Sequence, residues 1–352
     1  VVLAQYIFYY YFYIKYSRGI VMTSLDIDYA WIQISDLHIF DNVEWKTMQQ
    51  AYKRLPYKDK INFIIVTGDL HQYNKDYTET KQFLNRLLDF YELSKKDIFI
   101  VPGNHDSGAC INKETITFYI EKHIDEDADC YKKYFVPGQL VDCFKNYNDF
   151  IKDFYGSYAA SMYPSPEQVQ VKTWKNKINI IHLNTAINCN GDNTLDQVID
   201  IYQFSNLVDD LNPNCPSIII AHHPFDTIYR SQKDTLRRYI SDWKVSAYLC
   251  GDSHKESYSQ IQTSTKSGSN IPCIVCGKSA PETSDTYSDL GCIIYIKKKN
   301  ANKVEVLPYS WDSNKKTFDK CEKLSNDMGN LEFPLLKEDA VESMKKRNSN
   351  LV

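Results

Sequence analysis

At 352 residues the chain is long enough to bury a large core without disulfide staples, and 43% hydrophobic with 24% charged residues is ordinary for a soluble globular protein. Its 41 basic and 45 acidic side chains leave a net charge of −4, which argues against a dedicated nucleic-acid coat while leaving room for a local basic groove. The 27 tyrosines raise the aromatic share to 14% without naming a function.

Residues 1–14 are nearly all apolar or aromatic and are followed by Lys15 and Arg18. A secretory signal would carry its basic residues before the apolar run and a small-residue cleavage site after it. A membrane-spanning helix needs about 20 apolar residues, more than this run offers. Residues 1–21 are expected to be an over-extended reading frame with the working start at Met22, or alternatively an interfacial anchor, so no stable membrane span is expected.

From Ala30 short apolar runs alternate with helical stretches, the pattern of a layered α/β fold. Strands are expected at 30–35, 61–67 and 97–101, with amphipathic helices at 43–55 and 77–93 between them. Residues 107–166 interrupt the rhythm and read as an inserted helical cap. Strands resume at 168–174 and 177–183, a helix is expected at 195–211, and further strands at 217–221 and 247–250. The remainder is mainly strands, at 256–262, 271–276, 291–297 and 303–309, with 297–302 as a hairpin turn. The domain is expected to cover 22–312, and 313–352 to form a polar tail.

Ten cysteines lack the spacing of a secreted disulfide framework, so reduced thiols and a cytoplasmic location are expected. Cys273 and Cys276 form a C-x-x-C within an apolar run, with no second pair to complete a zinc knuckle, and read as strand residues.

Five segments set Asp, Asn or His directly after an expected buried strand: Asp36 and His38; Asp69; Asn104, His105 and Asp106; His222 and His223; Asp252 and His254. Strand ends on one edge of an α/β sheet converge, and ligands bind there. Glycines precede Asp69, Asn104 and Asp252, where the backbone must turn sharply. Oxygen and imidazole donors suit divalent ions such as Mn, Fe, Zn or Co. Two such ions sharing a carboxylate activate a water and clamp the attacking and leaving oxygens of an in-line displacement at phosphorus. An imidazole outside the ligand set can then protonate the leaving oxygen.

This order of motifs, D-x-H, G-D, G-N-H-D, H and a terminal G-x-x-H, resembles the calcineurin-like metallophosphoesterases over roughly residues 30–310. The resemblance implies a four-layer sandwich of two mixed β-sheets flanked by helices, with a dinuclear site at the strand ends. It also implies that Asp36, His38 and His254 hold one metal, that Asp69 bridges, and that Asn104 and His222 hold the second metal. His105 would contact phosphate and act as the acid, oriented by Asp106. The family has a histidine where this chain has Asp252. A carboxylate there can remain a ligand and favour a harder ion such as Mn or Mg, or it can mark a weakened second site. His222 is the expected ligand and His223 the expected substrate contact, with the two interchangeable at this level. His71 can reach substrate or sit on an exposed loop, and His182 reads as a core residue.

The resemblance implies hydrolysis of a small phosphate-ester substrate, with a diester favoured because the segment Ile34 to His38 is most similar to the cyclic-nucleotide phosphodiesterase relatives. A nuclease of the same family is the less favoured enzyme reading, given the charge balance. A non-catalytic scaffold is the third.

Overall fold

The computed structural model describes residues 26–39, 43–108, 118, 122–123, 141–159, 170–189, 197–201, 204, 207–263, 270–281, 290–321 and 331–335. The extension or anchor expected over 1–21 lies outside the described residues, as does most of 109–140 and all of 160–166 in the expected cap.

Two mixed sheets form the framework. The first contains β1 (Ile27–Ile34), β2 (Ile61–Thr67), β3 (Ile98–Val101), β10 (Gly291–Lys298), β11 (Lys303–Asp312), β12 (Thr317–Lys320) and β13 (Glu332–Pro334). Its order is β12-β11-β10-β1-β2-β3, with β13 also on β11. The second contains β4 (Gln170–Trp174), β5 (Ile178–His182), β6 (Ser217–Ile220), β7 (Val245–Cys250), β8 (Ser257–Ile261) and β9 (Ile271–Val275), in the order β4-β5-β6-β7-β9-β8. Strands β1, β2 and β3 run parallel, as do β5, β6, β7 and β9. Parallel strands are covered on both faces, which is why these segments read as continuous apolar runs.

The pleat assigns each residue to a layer. Ile178, Ile180, Ile218, Ile220, Ala247 and Leu249 share one core with the first sheet. Their neighbours Ile181, Ile219 and Tyr248 point the other way and pack with Leu236 and Ile240. Between the sheets, Trp31 stacks on Phe63 at 5.2 Å and on Tyr295 at 4.7 Å, and Phe63 meets Trp174 of the second sheet at 4.8 Å. Such ring pairs are worth about 0.5–1.5 kcal/mol each beyond the area they bury.

Helices α1 (Trp45–Arg54), α2 (Thr78–Phe90) and α3 (Lys145–Tyr155) belong to the core of the first sheet, and α4 (Arg230–Asp242) to the outer core of the second. Met48, Ala51 and Tyr52 make the buried stripe of α1, as their spacing requires. Residues 145–155 of the expected cap pack into the core of the first sheet. Phe150 stacks on Tyr77 at 4.8 Å, and the Tyr155 hydroxyl donates to the Ile98 carbonyl on β3.

Three expectations need correction. The helix expected at 195–211 does not begin there: the Gln197 amide donates to the Thr227 carbonyl and its carbonyl accepts from Tyr229, so this stretch pairs as a bridge, and helical geometry appears only from Ile201. The first sheet continues past residue 312 into β12 and β13, short edge strands within the expected tail. Seven described cysteines are free thiols, but Cys143 is disulfide-bonded. Among the described residues no helix is long and apolar enough to cross a membrane.

Candidate metal centre

Both sheets deliver their strand ends to one place. Asp36 and His38 follow β1, Asp69 follows β2, and Asn104 and His105 follow β3; His222 follows β6, and Asp252 and His254 follow β7. Gln33 ties the sheets just beneath, its Nε2 donating to Thr67 Oγ1 and to the Cys250 carbonyl while its Oε1 accepts from the Tyr295 hydroxyl. Two facing mixed sheets build the cluster, as in the expected sandwich.

The backbone is unusual at this edge. Asp36, His38, Asp69, Asp252 and His254 all have φ between 46° and 72°, the left-handed region that side-chain-bearing residues rarely enter. Each costs on the order of 1–3 kcal/mol, and such residues persist only where their surroundings over-determine them. Here the Asp36 amide donates to the Gly68 carbonyl, the His38 amide to the Asp69 carbonyl, and the Asp252 amide to Asp36 Oδ2. Gly68 has φ +93°, and a Cβ on it would stand 2.5 Å from the His222 ring. Gly103 is required for a different reason, since its Cβ would collide with the Asp69 carboxylate at 2.1 Å.

The donor atoms form two overlapping groups. In the first, His38 Nε2 lies 3.0 Å from His254 Nε2 and 4.0 Å from Asp36 Oδ1, and His254 Nε2 lies 3.5 Å from Asp36 Oδ1. In the second, His222 Nε2 lies 3.0 Å from Asn104 Oδ1 and 3.7 Å from Asp252 Oδ1. Asp69 Oδ2 stands between them, 3.6 Å from His38 Nε2 and 3.3 Å from His222 Nε2, while its Oδ1 accepts from the His105 amide. Side-chain exposure is 48% at His254 and 20% at Asp252 but 0% at Asp36 and His222, so the cluster opens on the His254 side.

Burial and charge oppose each other here. Burial pushes the Asp36 carboxyl up to about 7, with Asp69 and Asp252 adding to it against His222. Burial alone would raise Asp69 as well, but His222, His38 and His105 hold its carboxylate below the usual range. Burial brings His38 down to about 4. His222 goes the other way: Asp69, Asp36 and Asp252 override its burial and raise it well above an ordinary histidine.

A divalent ion suits this arrangement. Asp36 Oδ1 is buried and takes no hydrogen bond, and two imidazole Nε2 atoms at 3.0 Å both face the same space. Nδ1 of His222 faces the Thr67 carbonyl at 2.7 Å and must donate to it, so Nε2 carries the donor lone pair when His222 is neutral. The groups Asp36, His38, His254; Asp36, Asp69, His222; His38, Asp69, His105; and His222, His223, Asp252 each bring donor atoms within 4.8 Å of one another.

His105 is held by a group that the sequence reading missed. Its Nδ1 donates to the Gln72 carbonyl at 2.9 Å. A backbone acceptor leaves no side-chain signal in a sequence. Asp106 does not orient the ring; its carboxylate accepts from the amides of Leu70 and Gly103 and from the Tyr77 hydroxyl, and so locks the β2 and β3 loops together. His223 is fully buried, with Nε2 3.9 Å from Asp252 Oδ1, and does not line an open pocket as expected. His71 is neither exposed nor in the cluster: it is buried, its Nδ1 accepts from the Tyr73 amide, and its ring lies against Tyr77. His182 is a buried residue of β5. Thr185, hydrogen-bonded to His223, was missed too. It follows β5, so the strand-end rule that found the other residues reaches it as well.

The family model described as calcineurin-like phosphoesterase matches residues 31–256. An uncharacterized metallophosphoesterase-like protein of Bacillus subtilis, YydB, is 25% identical over 249 residues, 65% of this chain and 49% of that protein. The chain thus spans about half the length of the curated relative it matches. Among solved structures, vacuolar protein sorting 29 from Cryptosporidium parvum aligns over 84% of this chain and 97% of its own, at 12% identity and a TM-score of 0.36. Vps29 from Chaetomium thermophilum aligns over 83% of this chain and 95% of its own, at 12% identity and a TM-score of 0.32. At scores this low nothing about function follows from these structures.

Proposed function

The chain belongs to the calcineurin-like phosphoesterase family, and on that premise we propose that it is a metal-dependent hydrolase of phosphate esters, with diesters as its preferred class. One observation carries the reading: donor atoms from five strand ends in two sheets form two groups that Asp69 Oδ2 joins through His38 and His222, with Asp36 Oδ1 buried and without a hydrogen bond. Asp36, His38 and His254 would hold one divalent ion, Asn104, His222 and Asp252 the other, and Asp69 both. Two bound ions supply a water activated at neutral pH and positive charge for the phosphoryl oxygens.

The chain's own residues do the rest. Asp69 spends Oδ1 on the His105 amide, so only Oδ2 faces both groups. With Nδ1 donating to the Gln72 carbonyl, His105 has Nε2 as the nitrogen that can hand a proton to the leaving oxygen. Asp106 keeps the two loops that carry Asp69 and His105 in register. The half-exposed His254 marks the side from which an ester can enter.

A second reading rests on Asp252 alone: a scaffold whose second position is too weak for turnover. Hydrolysis of bis-(p-nitrophenyl) phosphate and p-nitrophenyl phosphate with Mn, Zn, Mg or chelator separates the two. Metal-dependent turnover that favours the diester supports the proposal. Absence of turnover with every metal, in folded protein, favours the scaffold.

A further inference from the structure

We propose that His223 is a ligand of the second metal position, supplying the imidazole nitrogen that is lost where Asp252 stands in place of the family's histidine. The inference rests on the two-metal reading above and adds to it a donor that the family pattern does not include.

Distances favour it. His223 Nε2 lies 3.9 Å from Asp252 Oδ1, and that oxygen lies 3.7 Å from His222 Nε2. The donor atoms of His222, His223 and Asp252 are all within 4.8 Å of one another. Ligands about 2.1 Å from a common ion stand about 3 Å apart at right angles and about 4 Å apart when nearly opposed. The observed spacings fall in that range.

The backbone turn after β6 also favours it. Consecutive residues of a strand point to opposite faces, yet the His222 and His223 rings lie 4.7 Å apart in an edge-to-face arrangement, with both Nε2 atoms near the one Asp252 oxygen. Metal-binding histidines are fixed through their other ring nitrogen. His223 Nδ1 is 2.8 Å from Thr185 Oγ1, which also accepts from the His223 amide at 3.1 Å. A hydroxyl oxygen has two lone pairs, so Thr185 can take both the amide and an Nδ1 proton. That tautomer leaves the lone pair on Nε2. Cys189 backs the ring, its Sγ 3.8 Å from Nε2 and its thiol donating to Gln197 Oε1.

A bland alternative exists for every part except the juxtaposition. A buried histidine hydrogen-bonded to threonine can be a core residue. Such a residue has no reason to stand beside the one carboxylate that departs from the family pattern.

The test uses metal-stripped full-length chain titrated with Mn²⁺ and with Co²⁺, read by equilibrium dialysis and by the Co²⁺ visible spectrum. Wild type should bind two ions. His223→Ala should keep one at unchanged affinity, weaken the other by at least tenfold, and alter only the second-equivalent Co²⁺ bands. In the double variant with Asp252→His, the second affinity should return to within a few-fold of wild type, which a merely structural role for His223 does not predict. Two ions bound by His223→Ala at wild-type affinity would overturn the inference alone. Failure of wild type to take up a second ion would overturn it together with the two-metal reading. Should His223→Ala fold poorly, His223→Gln serves in its place: an unchanged second-equivalent spectrum there also overturns the inference.

Discussion

Asp36 and His38 are as buried as His222 and His223, and the two groups differ in their third member: His254 is 48% exposed, which makes the first group the more open, whereas Asp252 beside His222 and His223 is 20% exposed. The open group keeps every residue of the family pattern. The second group carries its one departure. At the second group a carboxylate in place of an imidazole changes charge and donor type at once. On the proposed two-ion reading, the second position is the one where this chain differs.

The harshest break is Asp69→Asn, which touches both positions. Its loss should cut turnover on the order of 10³-fold and lower bound metal from two ions to one or none, measured by steady-state hydrolysis and metal analysis. Next comes His105→Asn, which leaves both positions intact. It should slow esters with alkyl leaving groups about 10²-fold, with metal content unchanged, and affect p-nitrophenyl esters far less because p-nitrophenolate departs without a proton. Asp252→His sharpens the contrast: turnover should stay within a few-fold of wild type or rise, while preference moves from Mn toward Zn or Co. Complete loss of turnover in folded Asp252→His protein would count against Asp252 as a ligand.

A further effect, on stability rather than turnover, lies away from the cluster, at His182. Burial brings its pKa down to about 3, whereas the unfolded chain carries an ordinary histidine near 6.5. Below pH 6.5 the unfolded chain binds a proton that the folded one does not, so this contribution is complete above pH 6.5 and shrinks toward pH 3. His182→Phe should flatten that acid limb, and urea midpoints taken from pH 7 to pH 4 read the difference directly. Parallel limbs in the two proteins would contradict it.

Much of this was legible in the sequence because buried parallel strands announce themselves. The runs that became β2 and β9 are apolar without alternation, and each ends at a polar residue or a glycine. Helix α4 was not seen, because its buried face is only Gln232, Leu236 and Ile240 on an otherwise polar surface. Gln232 earns its place by accepting from the Ile199 amide and donating to the Ile199 carbonyl, which no hydrophobic pattern records. Strands β12 and β13 are held at a sheet edge by pairing with β11 rather than by their own composition. At the site, the donor side chains of the cluster were readable from type and position. The partners that orient them, the Gln72 and Thr67 carbonyls and the Thr185 hydroxyl, depend on which loops touch.

The central claim is that the joined strand ends of two sheets make a two-ion hydrolytic site. Its most direct test is titration of metal-stripped protein with Mn²⁺ while hydrolysis of bis-(p-nitrophenyl) phosphate is followed. Activity should be absent without metal, rise to a plateau at two equivalents, and fall on the order of 10³-fold throughout in Asp69→Asn. Equal turnover with and without metal, or none at any metal concentration in folded protein, would contradict the account.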